Sequence, residues 1–186
     1  SFFTLGDQVR LRRILTKFYT PVVRLLFGKM KSNQNYTKKD ISPFFRVNGY
    51  PPKSEEYAQL KANDFKDWKL KVYGLVDNPL EMSLKDIKDL RKQDQITKHN
   101  CIQGWTAVAE WGGLPMSDVM ELSKPKKNAK YVLFHCYDID DKGQAYYSGL
   151  RVSDMYDKQT ILAYEMNGKT LPIEYGAPLR LRCEKK

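Results

Sequence analysis

Between residues 68 and 76, apolar Trp68, Leu70 and Val72 alternate with Lys69, Lys71 and Tyr73. This is the period of a half-buried strand, and Asp77-Asn78-Pro79 ends it. Ser83, followed three residues later by Asp86, opens a short helix with Leu84, Ile87 and Leu90 turned inward. Residues 95–102 extend again and run into a segment rich in Gly and Trp, ending in Gly112-Gly113-Leu114-Pro115, which predicts a tight, sterically demanding loop. Pro115 and Ser117 start another helix to about Leu122. Further strands are predicted over 131–137, 146–152, 160–164 and 179–183, with turns at Asp140-Asp141-Lys142-Gly143, Asn167-Gly168 and Tyr175-Gly176. Strands dominate and helices are short and scattered. The pattern predicts an α+β domain of strand-rich mixed sheets, without the regular strand and helix alternation of a nucleotide-binding sheet.

The first 40 residues have a different texture. Over 7–29 the period is helical: Leu11, Leu15, Phe18, Val22 and Leu25 or Leu26 fall on one face, while Arg10, Arg13, Lys17 and Arg24 gather on another. Such a helix suits peripheral contact with a membrane interface, or docking on the folded domain as a linker helix broken near Pro21. Its apolar runs are short and interrupted by Arg24, so a membrane span is not predicted. Residues 31–40 are polar and aperiodic, a linker. The chain therefore divides into a basic arm and linker, 1–40, and a domain, 41–186. Ser42 to Pro52 brings aromatic anchors, a cation and a Gly/Pro turn to the domain's entrance.

A length of 186 residues suits one domain plus an extension and allows a substantial core. The net charge of +10 is unevenly spread: residues 1–40 hold nine Lys or Arg and two Asp or Glu, leaving 23 against 20 beyond. A domain so nearly balanced offers no broad basic stripe to a phosphate backbone, which excludes nucleic acid as the partner. Three cysteines, 101, 136 and 183, are odd in number and far apart, so individual thiols are expected rather than a disulfide framework.

No glycine loop precedes a helix in the manner of a phosphate cradle. His99, Cys101, His135, Cys136 and Cys183 are available as zinc ligands but lack the close pairs typical of structural sites. Cys101 with His99 or His135 could also form a nucleophile and base. Strand alternation puts His99 and Cys101 on one face. On the residues alone Cys101 stays open between core thiol, metal ligand and nucleophile.

Several motifs occur in a consistent order from about Ile41 to Glu184: Pro43-Phe44-Phe45-Arg46-Val47-Asn48-Gly49, Asp67-Trp68-Lys69-Leu70, Ile96-Thr97-Lys98-His99-Asn100-Cys101-Ile102-Gln103-Gly104-Trp105, Glu110-Trp111-Gly112-Gly113, Leu162-Ala163-Tyr164-Glu165-Met166-Asn167-Gly168, and Tyr175-Gly176-Ala177-Pro178-Leu179-Arg180. Together they resemble the sulfite oxidase-type oxidoreductase molybdopterin-binding domain family of bacteria, on the side of its methionine sulfoxide reductase catalytic subunits. The resemblance implies a molybdenum-molybdopterin cofactor, with Cys101 as the one protein thiolate on the metal and oxygen-atom transfer as the reaction. It implies Arg180 as the cation for the pterin's phosphate, and Arg46 and His99 as pocket residues. Tyr175 stands where relatives often have His or Asn and would act through its hydroxyl. Cys136 falls near a threonine position of the reductase branch, as a weak donor; His135 fits equally a core histidine. Sulfite oxidases carry two arginines shortly after the metal-binding cysteine, and Ile102-Gln103-Gly104-Trp105 does not. A small or sulfoxide-type substrate is therefore expected in place of sulfite, with electrons exchanged through a separate carrier such as a membrane cytochrome. Relatives continue past the Arg180 strand into a loop containing Gly and Lys, so the C-terminal end of the family domain is expected to be missing here. The alternative is a binding domain that keeps the fold without cofactor or catalysis.

Overall fold

The computed structural model describes residues 36–47, 49–101, 103–139 and 145–184. The amphipathic stretch 7–29 and the turn at 140–143 lie outside the described residues. The chain enters through Ser42, whose N–H donates to the Val108 carbonyl at 3.0 Å while its Oγ accepts from the Val108 N–H at 2.9 Å. Ser54 then caps helix α1 (Glu55–Ala62), accepting from the Tyr57 N–H. This helix is not evident in the sequence because it buries only Tyr57, too little for an apolar stripe.

Strands β1 (Lys69–Val72) and β2 (Leu80–Ser83) pair antiparallel, with Leu70 opposite Met82. Helix α2 (Leu84–Asp89) begins with the expected capping box. Ser83 Oγ accepts from the Asp86 N–H at 3.1 Å, and the Asp86 carboxylate accepts from the Ser83 N–H at 2.8 Å. Two donors of the first turn are thereby satisfied. Ser83→Ala should lower stability by about 1 kcal/mol in urea unfolding, and an unchanged midpoint would show that the cap does not hold this end.

The main sheet has five strands in the order β3 (Gln93–Asn100), β4 (Thr106–Pro115), β7 (Thr160–Met166), β8 (Lys169–Thr170), with β9 (Arg180–Cys183) also paired to β7. Helix α3 (Met116–Ser123) follows β4, and β5 (Tyr131–Ile139) with β6 (Ala145–Arg151) forms a separate two-stranded sheet. The strand-rich α+β arrangement is the one expected, with one correction. The Gly-rich stretch up to Pro115 is no loop but the inner part of β4, bonded to β3 on one side and β7 on the other. Gly113 is required there by close approach: a Cβ would lie 2.1 Å from the Leu162 carbonyl oxygen. Asn167-Gly168 makes the expected tight turn between β7 and β8, both residues having positive φ, 52° and 73°.

The sheet is buried on both faces. One face supplies Leu114, Leu162 and Tyr164 to a core with Met116, Val119 and Met120 of α3, against which Val132, Phe134 and Leu150 of β5 and β6 also pack. The other carries Ala107, Ala109, Trp111, Ile161 and Ala163, closed by Phe45 from the entrance segment. The candidate site lies on this second face.

Candidate functional site

β3 delivers Thr97 and His99 to the second face, directly opposite Ala109 and Ala107 of β4. Pairing continues past the end of β3: the Cys101 N–H donates to the Trp105 carbonyl at 2.9 Å, and the Gly104 N–H donates to the Cys101 carbonyl at 3.0 Å. Gly104 closes this loop at φ 86°, a conformation that side chains rarely adopt. Cys101 is thus half-buried and fixed by backbone bonds alone, two residues beyond His99.

From the opposite edge, β9 sets Arg180 across from Ala163 and Arg182 across from Ile161. Residues directly opposite in a sheet share a face, so both guanidiniums come to the side that carries His99 and Trp111. They lie over the Trp111 ring, 5.3 and 4.5 Å from its centroid. Arg182 is 5% exposed and gripped by Glu184 through two 3.0 Å hydrogen bonds, from Nε and Nη2. Glu184 also accepts from Thr97 Oγ1 at 3.0 Å. Arg180 has a different situation: its Nη1 donates to the Tyr175 carbonyl at 2.9 Å, and no carboxylate among the described residues pairs with it.

Phe45 joins these parts. Its ring centroid lies 5.7 Å from His99, 5.6 Å from both Trp105 and Trp111, and 5.8 Å from Tyr175. Tyr175 Oη donates to the Phe45 carbonyl at 2.6 Å, so its proton is committed within the protein and only oxygen lone pairs remain to offer.

Burial, and then the neighbouring Arg182, hold the Arg180 guanidinium down to about 10, still cationic at neutral pH. Burial first, then Arg182 and Arg180, push the His99 imidazole below its ordinary 6.5. Below pH 6.5 the unfolded chain therefore takes up a proton at His99 before the folded one does, and this contribution to stability is lost as pH falls. Unfolding free energies of wild type and His99→Gln should diverge below pH 6.5, the wild type losing more; parallel curves would contradict a His99 held neutral.

His99, Tyr175 and Arg180, all expected from the sequence, are brought to one cluster around Phe45 and Trp111, and Cys101 follows two residues after His99. Arg46 is exposed, one residue beyond Phe45. Cys136 is exposed on β5, in the two-stranded sheet rather than the one that carries the others. His135, also on β5, is exposed rather than in the core, its ring 6.5 Å from Tyr147. Among the described residues no group of three or more His, Cys, Asp or Glu is placed to hold a metal ion, which leaves the zinc alternative without a ligand set. Trp111, Arg182, Thr97 and Glu184 were not singled out from the sequence. One signal was available: Arg180 and Arg182 stand two apart in an otherwise apolar strand, and so must share a face.

The donor set can be tested against a phosphate-bearing pterin. Arg180 is a half-buried cation with no carboxylate in ion-pair contact among the described residues, and Trp111 Nε1 is buried with no acceptor. The one carboxylate in the cluster, Glu184, is taken up by Arg182 and Thr97. A half-buried guanidinium with donors to spare fits an anionic, acceptor-rich group.

The family described as oxidoreductase molybdopterin binding domain matches residues 57–186. Over 172 residues the chain is 31% identical to "Putative protein-methionine-sulfoxide reductase subunit YedZ1" of Azospira oryzae, covering 92% of this chain and 62% of that protein. It is 31% identical over 141 residues to the protein-methionine-sulfoxide reductase catalytic subunit MsrP of Xanthomonas campestris pv. campestris, 69% of this chain and 43% of that one. The chain thus spans less than two thirds of the length of either relative. Among solved structures, the sulfane dehydrogenase SoxCD of Paracoccus pantotrophus superposes with a TM-score of 0.55 at 22% identity, over 63% of this chain and 34% of that chain, a likeness of fold. Motif order, fold and sequence match agree, and the chain belongs to the oxidoreductase molybdopterin binding domain family.

Proposed function

We propose that this domain holds a molybdenum-molybdopterin cofactor through Cys101 and Arg180 and catalyses oxygen-atom transfer on a sulfoxide-type substrate. The observation that carries this reading is the half-buried Arg180 cation on the sheet face that also carries His99, two residues before the half-buried Cys101. When bound, the cofactor supplies the redox change and oxygen exchange that no side chain here can supply. The chain's own part is binding, orientation and exclusion of water. Cys101 offers a soft thiolate, the ligand type suited to such a metal, from a position whose own N–H and carbonyl are bonded to Trp105 and Gly104. Arg180 would hold the phosphate, and Arg46, exposed beside Phe45, would line the pocket. Phe45 and Trp105 pack their rings against His99, Trp105 being the more exposed of the two.

The substrate follows from what stands after Cys101. Ile102-Gln103-Gly104-Trp105 brings no cation to a small anion such as sulfite, whereas aromatic surface suits a neutral sulfoxide with apolar substituents. Electrons come from a separate carrier, for which a membrane cytochrome is the proposed partner and residues 7–29 the proposed membrane contact.

The test is steady-state turnover of protein made in a host competent for molybdenum cofactor synthesis. Sulfoxide reduction with an artificial electron donor, and little sulfite oxidation, is the expected outcome. Efficient sulfite oxidation with inert sulfoxides would overturn the substrate. A folded protein without molybdenum would overturn the cofactor and favour a binding domain.

A further inference from the structure

We infer that Arg182 is a positioning residue: clamped by Glu184 and laid on Trp111, it fixes His99 in the neutral tautomer that carries its proton on Nε2. Arg182 Nη1 lies 3.4 Å from His99 Nδ1. A guanidinium has five donors and no acceptor, so only the lone pair of Nδ1 can face it. The other tautomer would set an N–H dipole head-on against a fixed cation at that distance, on a half-buried ring. Once Nδ1 is the acceptor, the proton sits on Nε2, and the ring presents an N–H on its edge away from Arg182.

The arginine has little freedom to turn away. Its planar fork meets Glu184 in two parallel hydrogen bonds, and Glu184 is held in turn by Thr97 Oγ1. The side chains of the pair are only 6% and 11% exposed, and the guanidinium lies 4.5 Å from the Trp111 centroid. The His99 ring is confined by Phe45 and Trp105, at 5.7 and 5.3 Å between centroids. A chain of contacts, Thr97 to Glu184 to Arg182 to His99, therefore runs to a residue two positions before Cys101. The consequence for function rests on the cofactor reading above: His99 offers a neutral N–H donor to an acceptor beside the thiol, at the same place in every molecule. The tautomer itself does not depend on that reading.

The chain has two histidines, which makes the test direct. Two-bond proton–nitrogen NMR at pH 8, on protein without cofactor, separates the protonated ring nitrogen from the bare one, and His135→Gln assigns the signals. In wild type, His99 is expected to show a bare Nδ1 and a protonated Nε2. The double variant Arg182→Met with Glu184→Gln removes both charges together, so that no carboxylate is stranded in the interior, and His99 should then become a mixture of tautomers. A protonated Nδ1 in wild type would overturn the proposal, as would an unchanged pattern in the folded double variant. If the double variant does not fold, the wild-type tautomer decides alone. Failure to load molybdenum would defeat the cofactor reading and leave the tautomer result standing, so the two are distinguishable.

Discussion

Gly113→Ala is expected to cost about 3 kcal/mol or more and to leave the domain largely unfolded or insoluble. The added methyl would lie 2.1 Å from the Leu162 carbonyl oxygen and 2.6 Å from Ala163 Cα, both main-chain atoms of β7. No rotamer change relieves a clash with backbone. β4 and β7 would have to separate at the bulge between Gly112 and Gly113, where cores lie against both faces of the sheet. Against a typical total stability of roughly 5–15 kcal/mol, that is a large fraction. Gly112→Ala is the informative contrast. Its methyl would meet Asp94 Oδ1 at 2.6 Å and Lys92 Cε at 2.7 Å, the far ends of side chains that can swing aside. Its cost should be nearer about 1 kcal/mol, mostly from disturbing the Lys92 ion pairs with Asp94 and Glu165. Urea unfolding followed by tryptophan fluorescence ranks the two, and a milder Gly113→Ala would contradict the strand assignment of residues 106–115.

Cys101→Ser should reduce turnover of the loaded enzyme by about a hundredfold or more while leaving the fold intact. The two effects separate because the loop is held by backbone: the Cys101 N–H and carbonyl bond to Trp105 and Gly104, and neither bond involves the thiol. A half-buried Cys to Ser change in such a loop should shift stability by no more than about 0.5 kcal/mol. The chemical change is larger, because a hard, weakly acidic hydroxyl replaces a soft thiolate. Wild-type turnover in the variant would remove Cys101 from the reaction, and a collapse in thermal stability would make it structural.

The contrast between α2 and β4 shows where local pattern suffices. Ser83 with Asp86 is a self-contained device, three residues apart, and the structure forms it as written. Asn167-Gly168 is likewise local, since a two-residue hairpin of the type I′ kind needs positive φ at both positions. In β4 Gly113 answers to the backbone of β7, some fifty residues away in sequence, and nothing near Gly113 records that neighbour. Composition there favours a turn, and the tertiary partner overrides it. The site divides in the same way. Cys101, His99, Tyr175 and Arg180 stand in motifs that a family resemblance brings out. Arg182 and Glu184 act through long-range contacts to His99 and Thr97, and only the strand alternation of Arg180 and Arg182 hinted at them.

Cys101 ligation of molybdenum is tested most directly by X-ray absorption at the molybdenum K-edge, on wild type and Cys101→Ser loaded in the same host. Wild type should show one sulfur more at molybdenum than the variant, the position passing to a light atom. Equal sulfur counts, with molybdenum retained in both proteins, would contradict Cys101 as the ligand.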